Sequence, residues 1–166
     1  SLAMEDDAGP ALRSLVNMSL LQEPVRSERD GRSRYRMLEP TKQFVRSRVP
    51  ADVDPDIAHA SAFATLAARE EQCLHGPSQA EAFSRLEEDG AEYLKAVDAM
   101  RDRPEGSALI AGIAGALWYW LMQTGDGVGA RRLLERAIEA PGLSRGERER
   151  LSAASVLVGS ELGEPG

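Results

Sequence analysis

The stretch Ala108-Leu-Ile-Ala-Gly-Ile-Ala-Gly-Ala-Leu-Trp-Tyr-Trp-Leu-Met122 carries no charge anywhere along its length. A helix that is apolar all round is buried on most sides, in lipid or in a protein core. A membrane span needs about 18 or more such residues. This run is shorter, and Arg101, Arg103 and Glu105 stand just before it. It therefore reads as a central core helix from Ser107 to Thr124, the hub against which other helices pack. Gly112, Gly115 and Ala116 fall at helical spacings and are expected to let neighbours approach closely. Trp118 and Trp120 supply bulk, and Gly125 is the expected C′ residue that stops the helix.

Amphipathic helices flank the hub on both sides. Before it, a helix is expected from Asp56 to Leu74, apolar at Ile57, Ala60, Phe63, Ala64, Leu66 and Ala67 and stopped by Gly76-Pro77. Ser78 with Glu81 has the spacing of a capping box. It would open a helix to about Arg101 with Ala82, Phe83, Leu86, Tyr93, Leu94, Val97 and Met100 inside, and Gly90 marks a break or close contact. After the hub, Gly125-Asp126-Gly127 forms a turn into a helix from Val128 to Ala140, inward through Val128, Leu133, Leu134, Ala137 and Ile138. Pro141-Gly142 ends it. A second capping-box pair, Ser144 and Glu147, opens a last helix with Leu151, Val156 and Leu157 inside. Helices joined by short turns in this way predict antiparallel pairs stacked as a solenoid. No clean repeat of about 34 residues emerges, so the periodicity reaches no further than tetratricopeptide-like.

The N-terminal part is built differently. Ala11 to Leu21 reads as a short helix with Pro10 in its first turn. Residues 19–22 and 34–38 read as strands of a hairpin turning at Asp30-Gly31. A helix from Thr41 to about Val49 follows, with Phe44 and Val45 facing inward. Helix, hairpin and helix in this order suggest the latter half of a winged helix. The linker from Pro50 to Pro55 sets the boundary between a partial winged-helix region, 1–50, and a helical-repeat region, 51–166.

Bulk properties narrow the classes. The formal net charge is −7 over 166 residues, which argues against general nucleic-acid binding by the whole chain. Residues 24–49 nevertheless hold eight Arg or Lys against three acids. The single cysteine, Cys73, allows no internal disulfide and fits a reducing cytoplasm. Met4-Glu-Asp-Asp is acidic where a signal peptide starts basic and then apolar. Ser1-Leu2 reads as a cloning scar, and both ends read as cuts in a longer polypeptide.

Several segments, in order, resemble one family. Leu12-Arg-Ser-Leu-Val-Asn-Met-Ser-Leu-Leu, Arg34-Tyr-Arg-Met-Leu-Glu-Pro-Thr-Lys-Gln-Phe-Val, His59-Ala with Phe63, Leu117-Trp-Tyr-Trp, and Gly125-Asp126 through Leu134-Glu-Arg-Ala are similar to segments of large bacterial signal-transduction ATPase regulators. These are STAND proteins of the AfsR-like and LuxR-type ATPase groups. The similarity spans most of residues 11–140. It departs from the family at Tyr93 and Met100, where Asn and Trp are usual, and at Thr41-Lys42. The resemblance implies the junction between an ATPase module lying outside this chain and a helical-repeat sensor. It implies a non-catalytic scaffold in a cytoplasmic transcriptional regulator, with a protein or peptide partner on the repeats.

No segment carries a recognisable reaction centre. The phosphate loop G-x-x-x-x-G-K-[ST] is absent, and Gly125-x-Gly127-x-Gly129 follows a helix, as an inter-helix turn would. Cys73-Leu-His75 lacks partners for a four-ligand metal set and reads as a helix end with a buried Cys and an exposed His. His59 reads as a hydrogen-bonded core or interface histidine. Glu87, Glu88, Asp89 and Glu92 read as a solvated helix face. Ser107 and Ser155 have no partnered base. No catalytic, cofactor or metal residue is expected. Arg26, Arg29, Arg32, Arg34, Arg36, Lys42, Arg46 and Arg48 support the alternative of a DNA-binding winged-helix module using the basic hairpin. Side chains Leu20, Tyr35 and Met37 on the hairpin are expected to promote weak self-association when no neighbour covers them.

Overall fold

The computed structural model describes residues 3–26, 33–50 and 52–163, with side chains from Gly9 onward. It is mainly helical with one small antiparallel sheet, and it divides into two compact units, Ser1–Val53 and Asp54–Gly166.

The first unit contains α1 (Ala3–Asn17), β1 (Val25–Arg26), β2 (Ser33–Arg34) and α2 (Glu39–Arg46). α1 starts earlier than expected and holds Pro10 in its interior. It ends in a Schellman arrangement: the Leu20 N–H donates to the Leu15 carbonyl at 2.9 Å and the Ser19 N–H to that of Val16 at 2.8 Å. Ser19 takes the left-handed position with φ +57°, which removes residues 19–22 from the expected strand. The strands pair instead as Val25 with Arg34 and Arg26 with Ser33. The Gln22 N–H also donates to the Arg36 carbonyl at 2.8 Å, so the two segments stay together beyond the ladder. The Asp30-Gly31 turn lies outside the described residues. α2 buries none of its side chains, and Phe44 and Val45, expected inside, are 57% and 39% exposed. Leu20, Tyr35 and Met37 are half-buried.

The second unit contains α3 (Pro55–Glu71), α4 (Gln79–Met100), a 3-10 turn (Pro104–Gly106), α5 (Ser107–Gln123), α6 (Gly127–Ile138) and α7 (Arg145–Glu161). α5 packs against α3, α4, α6 and α7. Ile110, Ile113 and Leu117 are at most 1% exposed, and burying each such side chain stabilises by about 1.5–3 kcal/mol. Gly125, φ +85°, closes α5 in a second Schellman arrangement, with the Asp126 N–H on the Leu121 carbonyl at 2.9 Å.

Side-chain contacts fix the helix directions. Asp54 at the start of α3 pairs with Arg103 just before α5 at 2.5 Å, and the His75 ring just after α3 lies tilted against Tyr119 near the end of α5, centroids 4.6 Å apart. α3 and α5 therefore run side by side in the same direction. α7 joins them in that direction: Arg150 reaches the Ala111 carbonyl of α5, and Leu162 meets Gly127 and lies beside Met122. α4 returns along α3, since His59 meets Glu92 and Glu70 meets Arg85. α6 runs with α4, its Arg136 reaching Asp98 at 3.0 Å. The unit thus has a layer of three like-directed helices (α3, α5, α7) and a layer of two returning ones (α4, α6).

Capping chemistry separates two sequence motifs of the same spacing. At Ser144 the box is complete: the Glu147 N–H donates to Ser144 Oγ at 3.3 Å and the Ser144 N–H to Glu147 Oε2 at 3.0 Å. Ser78 forms no cap, because its φ of −92° and ψ of 13° depart from the extended backbone a cap requires. Gln79 Nε2 instead donates to the Leu74 carbonyl at 2.5 Å. Asp54 caps α3, accepting from the Asp56 and Ile57 N–H groups, and Asp126 caps α6 through the Gly129 N–H at 2.8 Å.

Bonding to the side chain and then the backbone of Ser144 lowers the pKa of Glu147 from its usual 4.5. A carboxylate with a depressed folded pKa stabilises above its unfolded value and loses that contribution as pH falls through the folded one. Ser144→Ala is expected to cost about 1 kcal/mol at neutral pH and to flatten the acid limb of the melting temperature below pH 4.5. Thermal melts from pH 7 to pH 3 check both effects.

The inward faces of α4, α6 and α7 also differ from expectation. Val128, Leu94, Val156 and Leu157 are 54%, 42%, 70% and 57% exposed. α7 buries Leu151, Ala154 and Val158 instead, positions spaced by three and four, the true period of one helix face.

Candidate interaction surfaces

Two glycines of α5, Gly112 and Gly115, are only partly buried. A methyl group placed on Gly112 would meet nothing within 4 Å, whereas one on Gly115 would stand 3.0 Å from Arg150 Nη2. Close helix approach at Gly112 and Gly115 is therefore not what the structure shows. Gly112 opens onto free space, and Gly115 makes room for the Arg150 side chain as it donates to the Ala111 carbonyl at 3.3 Å. Ala116, by contrast, is fully buried. Toward the end of α5, Tyr119 lies between His75 and Phe83, with ring centroids at 4.6 and 6.4 Å.

The strongest polar contact between layers is a pair that the sequence pattern did not single out. Glu70 on α3 is 1% exposed and accepts from Arg85 Nε at 2.9 Å and Nη2 at 2.6 Å. The carboxylate holds the Arg85 pKa above its ordinary value. No periodicity argument pairs residues on two different helices, so only the packed geometry reveals it.

His59 Nε2 lies 3.3 Å from Glu92 Oε2, with its ring against Phe63. Glu92 also accepts from Lys95 at 2.5 Å, and this bond is the main reason its pKa is lowered. Glu92 thus pairs with both His59 and Lys95, and Glu87, Glu88 and Asp89 also have partners. Cys73 is half-buried and His75 exposed. Among the described residues no three His, Cys, Asp or Glu side chains come together as a metal set. Ser107 Oγ donates to the Pro104 carbonyl at 3.0 Å, a local turn bond. Gly90 is a close contact inside an unbroken α4, where an added methyl would stand 3.2 Å from Trp120 Cη2. Trp120 Nε1 is buried there with no hydrogen-bond partner among the described residues.

An open cleft of about 630 Å³ lies where α4 and α6 end, lined by Arg101, Asp102, Arg136, Glu139 and Pro141. Its arginines are engaged, Arg136 with Asp98 at 3.0 Å and Arg101 with Asp102 at 3.8 Å. Among the described residues no helix is long and apolar enough to cross a membrane. Of the basic group, Arg29 and Arg32 lie outside the described residues. Arg26 and Arg34 sit in the strands, and Arg36, Lys42, Arg46 and Arg48 are exposed. No protein family, curated protein or solved structure was found to match the chain.

Proposed function

We propose that residues 54–166 are a tetratricopeptide-like scaffold that binds a protein or peptide partner. In this reading the whole chain is the non-catalytic junction of a STAND-type, AfsR/LuxR-like regulator whose ATPase module lies outside it. The observation that carries the scaffold reading is the layering of α3, α5 and α7 in one direction over returning α4 and α6. Stacked helical pairs of this kind form extended faces that bind other chains. The unit holds nineteen acids against eleven Arg and Lys, so a basic amphipathic segment is the partner class its field favours. The family assignment rests on the ordered sequence resemblance alone.

DNA binding by the hairpin has less support. A winged helix reads the duplex with the helix before its wing, and here α1 contains Glu5, Asp6 and Asp7 against Arg13 alone. Titrating the whole chain with a synthetic Lys/Leu amphipathic peptide and, separately, with mixed-sequence duplex DNA distinguishes the two. Saturable peptide binding at micromolar concentration, with no retardation of the duplex at that concentration, is the expected result. A duplex that binds more tightly than the peptide, with the steep salt dependence of phosphate contacts, overturns the scaffold reading.

A further inference from the structure

We infer that α2 is a docking helix whose Leu38–Phe44–Val45 face takes an acidic amphipathic segment of a protein partner. The inference uses the first unit alone and stands independently of the reading of residues 54–166. α2 is eight residues long with no buried side chain, well below the ~12–15 residues at which an isolated helix becomes even marginal in water. Yet it is sharply two-sided. Thr41, Phe44 and Val45 fall at helical spacing on one face, Arg48 follows in the turn just past the helix end, and Lys42 and Arg46 stand one turn apart on the flank. Leu38 and Phe44 are 50% and 57% exposed. The Arg48 guanidinium lies 4.8 Å from the Phe44 ring centroid, which holds the ring presented at the surface.

Charge identifies the occupant. Among the described residues Arg36, Lys42, Arg46 and Arg48 make no ion pair, and Glu39 is the only acid between Ser33 and Pro50. Clustered cations repel one another, and an acidic partner relieves that repulsion while steering the encounter. The apolar face requires more than charge. A duplex backbone offers Phe44 no apolar surface, and three large apolar residues, Leu38, Phe44 and Val45, make too small a face to anchor in a bilayer interface. A helix with a leucine stripe bordered by Glu satisfies both demands.

The test titrates the whole chain with a labelled synthetic Glu/Leu amphipathic peptide of about 18 residues, long enough to form a helix. A scrambled peptide of equal composition, mixed-sequence duplex DNA and phosphatidylserine vesicles are run in parallel. Saturable binding of the amphipathic peptide is expected, weakened about tenfold or more both by Phe44→Ala and by Lys42→Glu with Arg46→Glu, and retained by Phe44→Leu. All three side chains are exposed, so unchanged far-UV circular dichroism and melting should accompany these losses. Equal binding of the scrambled peptide, indifference to Phe44→Ala, or Lys42- and Arg46-dependent binding of DNA or vesicles tighter than that of the peptide overturns the inference.

Discussion

Arg85→Ala is expected to lower the stability of the helical unit by about 3 kcal/mol, among the largest effects of any single substitution outside the apolar core. The reason is the asymmetry of a buried ion pair. Glu70 is 1% exposed, while the Arg85 side chain retains 18% exposure and covers the carboxylate with two of its nitrogens. Removing Arg85 leaves the Glu70 carboxylate inside without the guanidinium that neutralises it. Removing both charges is far less costly, because an apolar pair of similar volume needs no desolvation of ions. Glu70→Met with Arg85→Met should therefore recover most of the loss. Urea unfolding checks this through the midpoint at constant slope. A single variant as stable as the parent would show that water already solvates Glu70.

Gly106→Ala is expected to cost about 3 kcal/mol, the upper end of the range for overpacking. An added methyl would stand 2.7 Å from Met100 Cβ and 3.0 Å from the Met100 carbonyl oxygen. Neither atom is the free end of a flexible side chain, so the turn joining α4 to α5 has to move. Met100 itself is fully buried, and its displacement would propagate into the core. Gly112→Ala is the informative counterpart. It lies within α5 with free space around it, so the ordinary preference of a helix for Ala should stabilise by up to about 1 kcal/mol. Thermal melts of the two variants should move in opposite directions. If both fall, Gly112 is required for a reason other than local space.

The hub helix, its capping by Gly125, the complete box at Ser144 and Glu147, and the helical character of most of the chain follow from local chemistry. An uncharged run must be buried, a glycine is suited to positive φ, and a hydroxyl and a carboxylate three residues apart can each cap a backbone donor. Such features depend on residues within a few positions of one another, so the amino-acid order by itself determined them. Tertiary structure decided the rest. Ser78 has the same motif as Ser144 but the wrong backbone angles, set by the turn that brings α4 back along α3. Gly115 accommodates Arg150, a residue 35 positions away. Glu70 and Arg85 become partners only because α4 reverses direction against α3. Leu94, Val128, Val156 and Leu157 are apolar yet exposed, since burial depends on which neighbour lies opposite a face. Phe44 and Val45 have no such neighbour within the described residues of their own unit, and that exposure is what marks α2 as a surface for another chain.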